Sequence, residues 1–479
     1  MLRGHREPTA AERTAECTMD LRCSRRPRPH PKRSFPVARP RMAVSRRFLG
    51  HNLRECSGSV HGRDIVREEA SPDALRDRRV LISGASVAGP ALAHWLAAHG
   101  CAVTIVEKAP ALRRGGFAVD FRGAAHREVL RRMGLWDAVR ERQTHMGTQH
   151  FIGPDGREQA SLPPEFMSGD VEIFRGDLSE IFHEHTKDRV EYVFGDSVAT
   201  LEQTPDEVHV TFERGAPRTF DLVVGADGLH STVRRLVFGD EARHLRFLNH
   251  YVAVYDAPNH LGLDRTARWF NAPGRAVGLA HYGGDPAKAL VTMVFAEQDP
   301  GYARLGPERQ REILRERYAG LGWEVPRALK ALEETEDLYF DAMAQVRLDR
   351  FSEGRVVLLG DAGYGATMGG LGTGLALVCA YVLAGELATR PGHRAAFAAH
   401  EEQIRAYALG CQKNADSAGP MLAPATDRRI RLRNLTYRVL QLGPLSALFS
   451  RLSVRAAEAI ELKDYPLPVS GARSSGVRD

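Results

Sequence analysis

Cysteine is scarce in this chain and never paired in sequence. Its six copies, at 17, 23, 56, 101, 379 and 411, include no C-x-x-C. That spacing excludes a disulfide framework and a zinc site, and it fits a reducing, cytoplasmic setting. Tryptophan is also sparse, with single residues at 95, 136, 269 and 323 and no two close together. The body of the chain lacks net charge as well. Residues 1–79 hold 19 of the 66 Lys/Arg and 10 of the 60 Asp/Glu, which leaves 47 basic and 50 acidic groups for the rest. The overall +6 therefore comes from the leading segment, and it gives no basis for nucleic acid binding.

Regular periodicity is missing from that leading segment. "LRCSRRPRPHPKRSFPVARPRMAVSRRF" is rich in Arg and Pro, so residues 1–78 read as a disordered basic extension. No apolar run follows the early arginines, as a secretory signal would need, and ten acids and several prolines argue against a transit peptide. Long apolar runs are rare too. The exception is "AGYGATMGGLGTGLALVCAYVLAG" at 362–385, uncharged and long enough to span a bilayer. Its glycine-rich first half would expose backbone to lipid. It reads instead as a glycine loop feeding a buried helix, with no membrane span.

What is present begins at Val80–Lys108, "VLISGASVAGPALAHWLAAHGCAVTIVEK". A strand, a glycine turn, a helix with Pro90 in its first turn, a stop at Gly100 and a second strand follow one another. The order is that of a dinucleotide-binding βαβ unit. Gly84 and Gly89 fill the outer positions of G-x-G-x-x-G, and Ser86 stands at the middle one, small enough for close approach of a pyrophosphate. Glu107, followed by Lys108, ends the second strand, where an acid can hold ribose hydroxyls. The same turn also has the look of a degenerate nucleophile elbow, so a hydrolase with Ser86 as nucleophile stays open at this point.

Farther along, "HREVLRRMGLWDAVRER" predicts one amphipathic helix and "RGDLSEIFHEHT" another. Between about 245 and 300 the texture changes to successive antiparallel strands, "LNHYVAVYDAP", "ARWFNAPG", "AVGLAHYGG" and "KALVTMVFAE". A helix at 307–318 and the strand "LYFDAMAQV" follow, and "RVVLLGD" returns to the parallel type. The fold class is therefore α/β: a Rossmann-like nucleotide domain with an inserted antiparallel-sheet substrate domain and C-terminal helices. The expected boundaries are 79–244 and 351–425 for the nucleotide domain. The sheet domain takes 245–350 with part of 145–175, and the helices and tail take 426–479.

Two further strand ends carry carboxylates. "DLVVGADGLHSTVR" places Asp227 after a strand, and "RVVLLGDAGYGATMGGLGTGLALV" places Asp361 before a glycine loop and a long helix. Both lie where open α/β sheets bind ligands. A hydrolase has no use for Glu107, Asp227 and Asp361 together, so Ser86 reads as a small residue beside a pyrophosphate.

With these three stretches in order, the sequence resembles the FAD-dependent class A monooxygenases of the p-hydroxybenzoate hydroxylase fold, over residues 80 to about 460. It is most similar to their tetracycline-inactivating and polyketide-tailoring branch. The departures are Ser86 in the glycine turn and "GYGATMGG" in place of a proline-containing loop. The resemblance implies FAD as cofactor, NADPH or NADH as donor, and O2 activation as a flavin C4a-hydroperoxide. It also implies an aromatic or polycyclic substrate and a role in antibiotic biosynthesis or resistance. It assigns cofactor contact to Gly84, Ser86, Gly89, Glu107, Lys108, Asp120, Arg175, Asp227, Asp361, Gly370, Leu371, Gly372 and Thr373. Arg113 is assigned to the nicotinamide donor. No catalytic side chain and no metal is implied, since the flavin carries the chemistry. His281, Tyr282, Phe270, Phe340 and Met343, on the inserted sheet or its return strand, face either the substrate or a core. Competing readings are a flavin halogenase, whose W-x-W-x-I-P stretch is absent, and a non-catalytic flavin or ligand binder.

Overall fold

A computed structural model describes residues 75–112, 117–166, 168–298, 301–368, 371–441 and 458–466. The expectations placed on residues 1–74, Arg113 and Gly370 lie outside the described residues.

The fold is α/β, with helices and sheets both prominent. Its first sheet is six-stranded and centres on Arg79–Ser83. On one side of that strand lie Ala102–Glu107 and then Glu191–Phe194; on the other lie Leu222–Gly225, Val356–Leu358 and the short edge Ser352–Glu353. Every pairing is parallel except the last. The strands are buried on both faces, which is why they read as unbroken apolar runs such as "VLI" and "LVV". An antiparallel meander of Val198–Gln203, Val208–Phe212 and Arg218–Phe220 leads into this sheet.

The helix Ala88–Ala98 follows the first glycine turn and packs on helix Gly372–Thr389. The latter is apolar all round because it lies between other helices, including His393–Leu422. It is long and apolar enough to cross a membrane, yet 78% of it is buried inside the fold. Its one acid near the far end, Glu386, is 1% exposed and is held by Lys463 Nζ at 2.6 Å and the Tyr465 hydroxyl at 2.8 Å. Residues 458–466 thus tie back onto a helix that starts nearly ninety residues earlier in the chain.

The second large sheet has seven strands. The return strand Tyr339–Val346 lies at one edge, followed by Leu245–Pro258, Lys288–Ala296, Arg275–His281, Thr266–Ala272, Gln149–Ile152 and Glu158–Leu162. Its pairings are antiparallel except for Ala267–Phe270 against Gln149–Ile152, which is parallel. One face packs on helices Pro307–Tyr318 and Val325–Glu334. The other carries Val252, Trp269, Ala280, Val294 and Met343 toward Ala418 and Tyr437 of the late helices.

The single helix expected over "HREVLRRMGLWDAVRER" is two, Gly123–Arg132 and Trp136–Glu141. Gly134 adopts φ +74°, a left-handed conformation that ends the first helix.

Candidate functional site

Three loops meet at the carboxyl ends of the parallel strands. In the first turn Gly84 has φ +111°, and a Cβ there would stand 2.4 Å from the Ala226 carbonyl oxygen. A Cβ on Gly89 would stand 2.0 Å from the Gly84 carbonyl oxygen. Only hydrogen fits at either position, so the helix can start directly against the strand end and leave the turn's amides beyond Ala85 open. Glu107 fixes the turn from the neighbouring strand, with one carboxylate oxygen accepting from the Ala85 amide and the other from the Ala109 amide, both at 2.9 Å. Lys108 is exposed on the loop that follows.

Ser86 does not cap its helix; its hydroxyl instead accepts from Arg175 Nε at 2.9 Å. Arg175 is exposed at the first turn of helix Arg175–Thr186, and its amide donates to the Phe117 carbonyl at 3.0 Å. Its charge also acts on Asp361. The Asp361 side chain reaches solvent, yet the protein crowds it closely enough that loss of water pushes its carboxyl above the usual range while Arg175 pulls it down. An acid that is exposed yet crowded by protein on most sides lines a concave surface, a recess. Gly372, the first residue of the long helix, lies beside it: a Cβ there would be 3.6 Å from Asp361 Oδ1. Leu371, at the N-cap, is buried and offers no side-chain cap. The amides of Gly372 and Thr373 therefore begin a helix whose positive end points at this recess. The structure thus brings Ser86, Arg175, Asp361 and the Leu371–Thr373 helix start together.

Asp227 is committed elsewhere. It accepts from the Ser231 hydroxyl and, at 3.1 Å, from the Val233 amide, and so braces the start of helix Thr232–Phe238. Burial raises its carboxyl, and the Ser231 bond partly offsets that rise. Asp120 is buried in an ion pair with Arg122 on a two-stranded ribbon whose partner strand is Val171–Phe174. Burial pushes its carboxyl up, and the Arg122 guanidinium draws it down.

The sheet residues divide by face. Phe270 and Phe340 pack with Phe295 and Tyr318 on the helix-covered side. His281 is buried near the same side of its strand, with Nδ1 accepting from the Gly283 amide at 3.4 Å. Met343 and Tyr282 lie on the opposite face, where Phe117 and Met368 also pack. Tyr282 meets Phe174 ring to ring at 5.4 Å, and burial raises its hydroxyl.

Several residues at this junction carry no sequence signal. Arg234 is fully buried and donates to the carbonyls of Ala362 at 3.0 Å and Leu229 at 2.6 Å, tying the Asp-Gly turn to the Gly-Asp turn. Arg235 beside it looks the same in sequence. His230 joins Asp341 of the return strand at 3.2 Å and Glu241 at 3.1 Å. The Asp341 hydrogen bond outweighs partial burial and raises its imidazole to about 9. Tyr339, whose ring meets Phe117 edge-on at 4.9 Å, donates to Asp341 at 3.4 Å. Trp269 packs on Gly278 and donates to Gln149 at 2.8 Å.

The geometry can be set beside known proteins. The FAD binding domain family matches residues 77–401. An uncharacterized protein of Mycobacterium tuberculosis is 43% identical over 317 residues, covering 65% of this chain and 85% of that protein. A flavin-dependent monooxygenase from an unknown prokaryotic organism is 38% identical over 336 residues, covering 69% and 86%. Among solved structures, tetracycline destructase Tet(55) superposes with a TM-score of 0.71 at 34% identity, covering 82% of this chain and 99% of its own.

Proposed function

The chain belongs to the class A FAD-dependent monooxygenases, and from that premise we propose that it uses NADPH or NADH and O2 to hydroxylate an aromatic or polycyclic, polyketide- or antibiotic-like small molecule. The observation that carries this reading is the convergence of the glycine turn, Arg175, Asp361 and an uncapped helix start on one recess.

The residues present fit FAD. The turn Gly84–Gly89 admits no Cβ at either glycine, which lets phosphate oxygens approach the open amides. Ser86 and Arg175 add a hydroxyl and a cation for the pyrophosphate. Glu107 stands at the strand end for the ribose, with Lys108 on the adjoining loop. Asp361 suits the ribityl chain, or the pyrophosphate through water. Leu371, Gly372 and Thr373 present backbone amides where negative charge would develop on the reduced ring, and Gly370 precedes them in sequence. Asp227 serves by bracing the helix after its turn, and Asp120 by holding the ribbon beside the recess through Arg122.

FAD, when bound, supplies the oxygen activation, which no amino-acid side chain carries. The protein's part is to hold the substrate against the site and exclude water. We assign the first task to the inserted sheet, residues 245–350, with Tyr282 and Met343 on the face shared with Phe117 and Met368. Phe270, Phe340 and His281 support that sheet from behind. Arg113 is proposed to meet the nicotinamide donor. The cofactor half is then 79–244 with 351–425.

The test is an NAD(P)H-oxidation screen of the FAD-loaded protein against phenols, anthraquinones, tetracyclines and rifamycins. Ligand-stimulated oxidation with a product heavier by one oxygen is the expected result. Purified protein that stays colourless and takes up no FAD overturns the reading. Bound FAD with no ligand-stimulated oxidation would make the chain a flavin or ligand binder.

A further inference from the structure

Helix Gly372–Thr389 has glycine at its third position as well as its first, and this second glycine answers a different neighbour. A Cβ on Gly374 would stand 2.0 Å from Cε1, 2.2 Å from Nδ1 and 2.4 Å from Nε2 of His126. The imidazole therefore lies flat against the helix's first turn, where a side chain would otherwise be.

His126 is 0% exposed and fully engaged. Its Nδ1 accepts from the Arg122 amide at 3.1 Å, so the neutral ring carries its proton on Nε2. That Nε2–H points at the Tyr407 hydroxyl, 2.7 Å away on helix His393–Leu422. Burial, helped by the Arg122 charge, pushes the imidazole down to about 3 and keeps it neutral. The Phe121 ring meets it edge-on at 6.3 Å. One ring thus touches the ribbon that carries Asp120, its own helix Gly123–Arg132, the helix start and the long late helix.

We propose that His126 is a positioning residue for the flavin end of the site: by taking the place of a Gly374 side chain, it fixes the first turn of helix Gly372–Thr389 and hence where the Leu371–Thr373 amides stand. This rests on the reading of that helix start given under Proposed function. Helix-end fields fall off within a turn, so a small displacement of this turn changes how strongly the amides favour a reduced, anionic ring over an oxidised one.

The test uses the full chain loaded with FAD and compares wild type with His126→Ala, Gly374→Ala, the double variant and Tyr407→Phe. The readouts are FAD affinity by titration of the apoprotein, and flavin midpoint potential by spectroelectrochemistry. Gly374→Ala should weaken FAD binding about tenfold or more, because the methyl and the imidazole cannot share one volume. The double variant should recover FAD affinity to within about threefold of wild type, since the clash is gone. Both variants lacking the ring should show a midpoint potential lower by about 30 mV, which is a tenfold loss of preference for reduced flavin. Tyr407→Phe, which keeps the ring but removes its Nε2 partner, should shift the potential the same way by less. Wild-type potential in His126→Ala and the double variant would reduce His126 to packing and overturn the inference. Should His126→Ala yield no folded protein, an unchanged potential in Tyr407→Phe overturns it. If wild type itself takes up no FAD, the parent reading falls and takes this inference with it.

Discussion

The two glycine-rich stretches of this protein follow parallel strands of one sheet, separated by Leu222–Gly225, but they are glycine-rich for different reasons. In the first, each glycine answers a backbone: Gly89 meets the Gly84 carbonyl, and Gly84 meets the Ala226 carbonyl. In the second, Gly374 answers a side chain, the His126 ring. A glycine pressed on a carbonyl has no second-site remedy, because no substitution removes a carbonyl. A glycine pressed on a side chain has one.

The largest expected effect comes from Gly89→Ala, which should cost about 3 kcal/mol by overpacking and abolish FAD uptake. Thermal melting and FAD titration check it, and no side-chain substitution nearby should restore either. Rescue by any single second change would break the contrast with Gly374.

Arg175→Ala should weaken FAD binding about tenfold by removing a charge-assisted contact, while the thermal midpoint moves little, because the side chain is exposed. Equal loss of stability and affinity would instead make Arg175 a structural residue.

A smaller effect separates two histidines by pH. The His230 imidazole is raised, chiefly by its hydrogen bond to Asp341, to about 9 from an ordinary value of 6.5. Its contribution to stability is complete below about pH 6.5 and is lost as pH rises through about 9. The gap in thermal midpoint between wild type and His230→Gln should therefore be widest near pH 6 and close toward pH 10. His126, buried and neutral, has the opposite window: the stability it contributes is lost as pH falls below about 6.5. Its Ala variant should flatten the acid side of the stability curve.

Ser86→Gly is the smallest change, with FAD affinity and turnover expected within about threefold of wild type, since glycine is the ordinary residue at the middle position of such a turn. Loss of all activity would revive the nucleophile reading of Ser86.

The cofactor half was legible in the sequence because its requirements are written in residue types. A turn that forbids a Cβ must spell glycine at 84 and 89, and a parallel strand buried on both faces must be apolar throughout. The inserted sheet gave up its strands but not its faces. Its adjacent residues are apolar on both sides, so Trp269 and Phe270, or Phe340 and Met343, look alike until the helices at 307–318 and 325–334 show which side they cover. Gly134 was readable as a glycine but not as a helix end, because the apolar period runs on through it. Arg234 and His126 were hidden for another reason. Each owes its role to partners more than a hundred residues away, Ala362 and Tyr407, and local pattern holds no trace of such a pairing.

The strand order of the parallel sheet also dictates a schedule. Its central strand is made from residues 79–83, the two strands beyond one side of it from 222–225 and then 356–358, and the helix seated on it is secured by residues 463 and 465. A chain leaving the ribosome must therefore hold strand Leu222–Gly225 unpaired on its outer side while the whole inserted sheet is synthesised. That sheet closes on contacts within its own stretch, apart from the two strands borrowed from 149–162. The insert can gather first, and the cofactor half is then completed late, by contacts of very long sequence separation. A nascent chain halted before residue 356 would display the edge of strand Leu222–Gly225, a ready site for association with another chain.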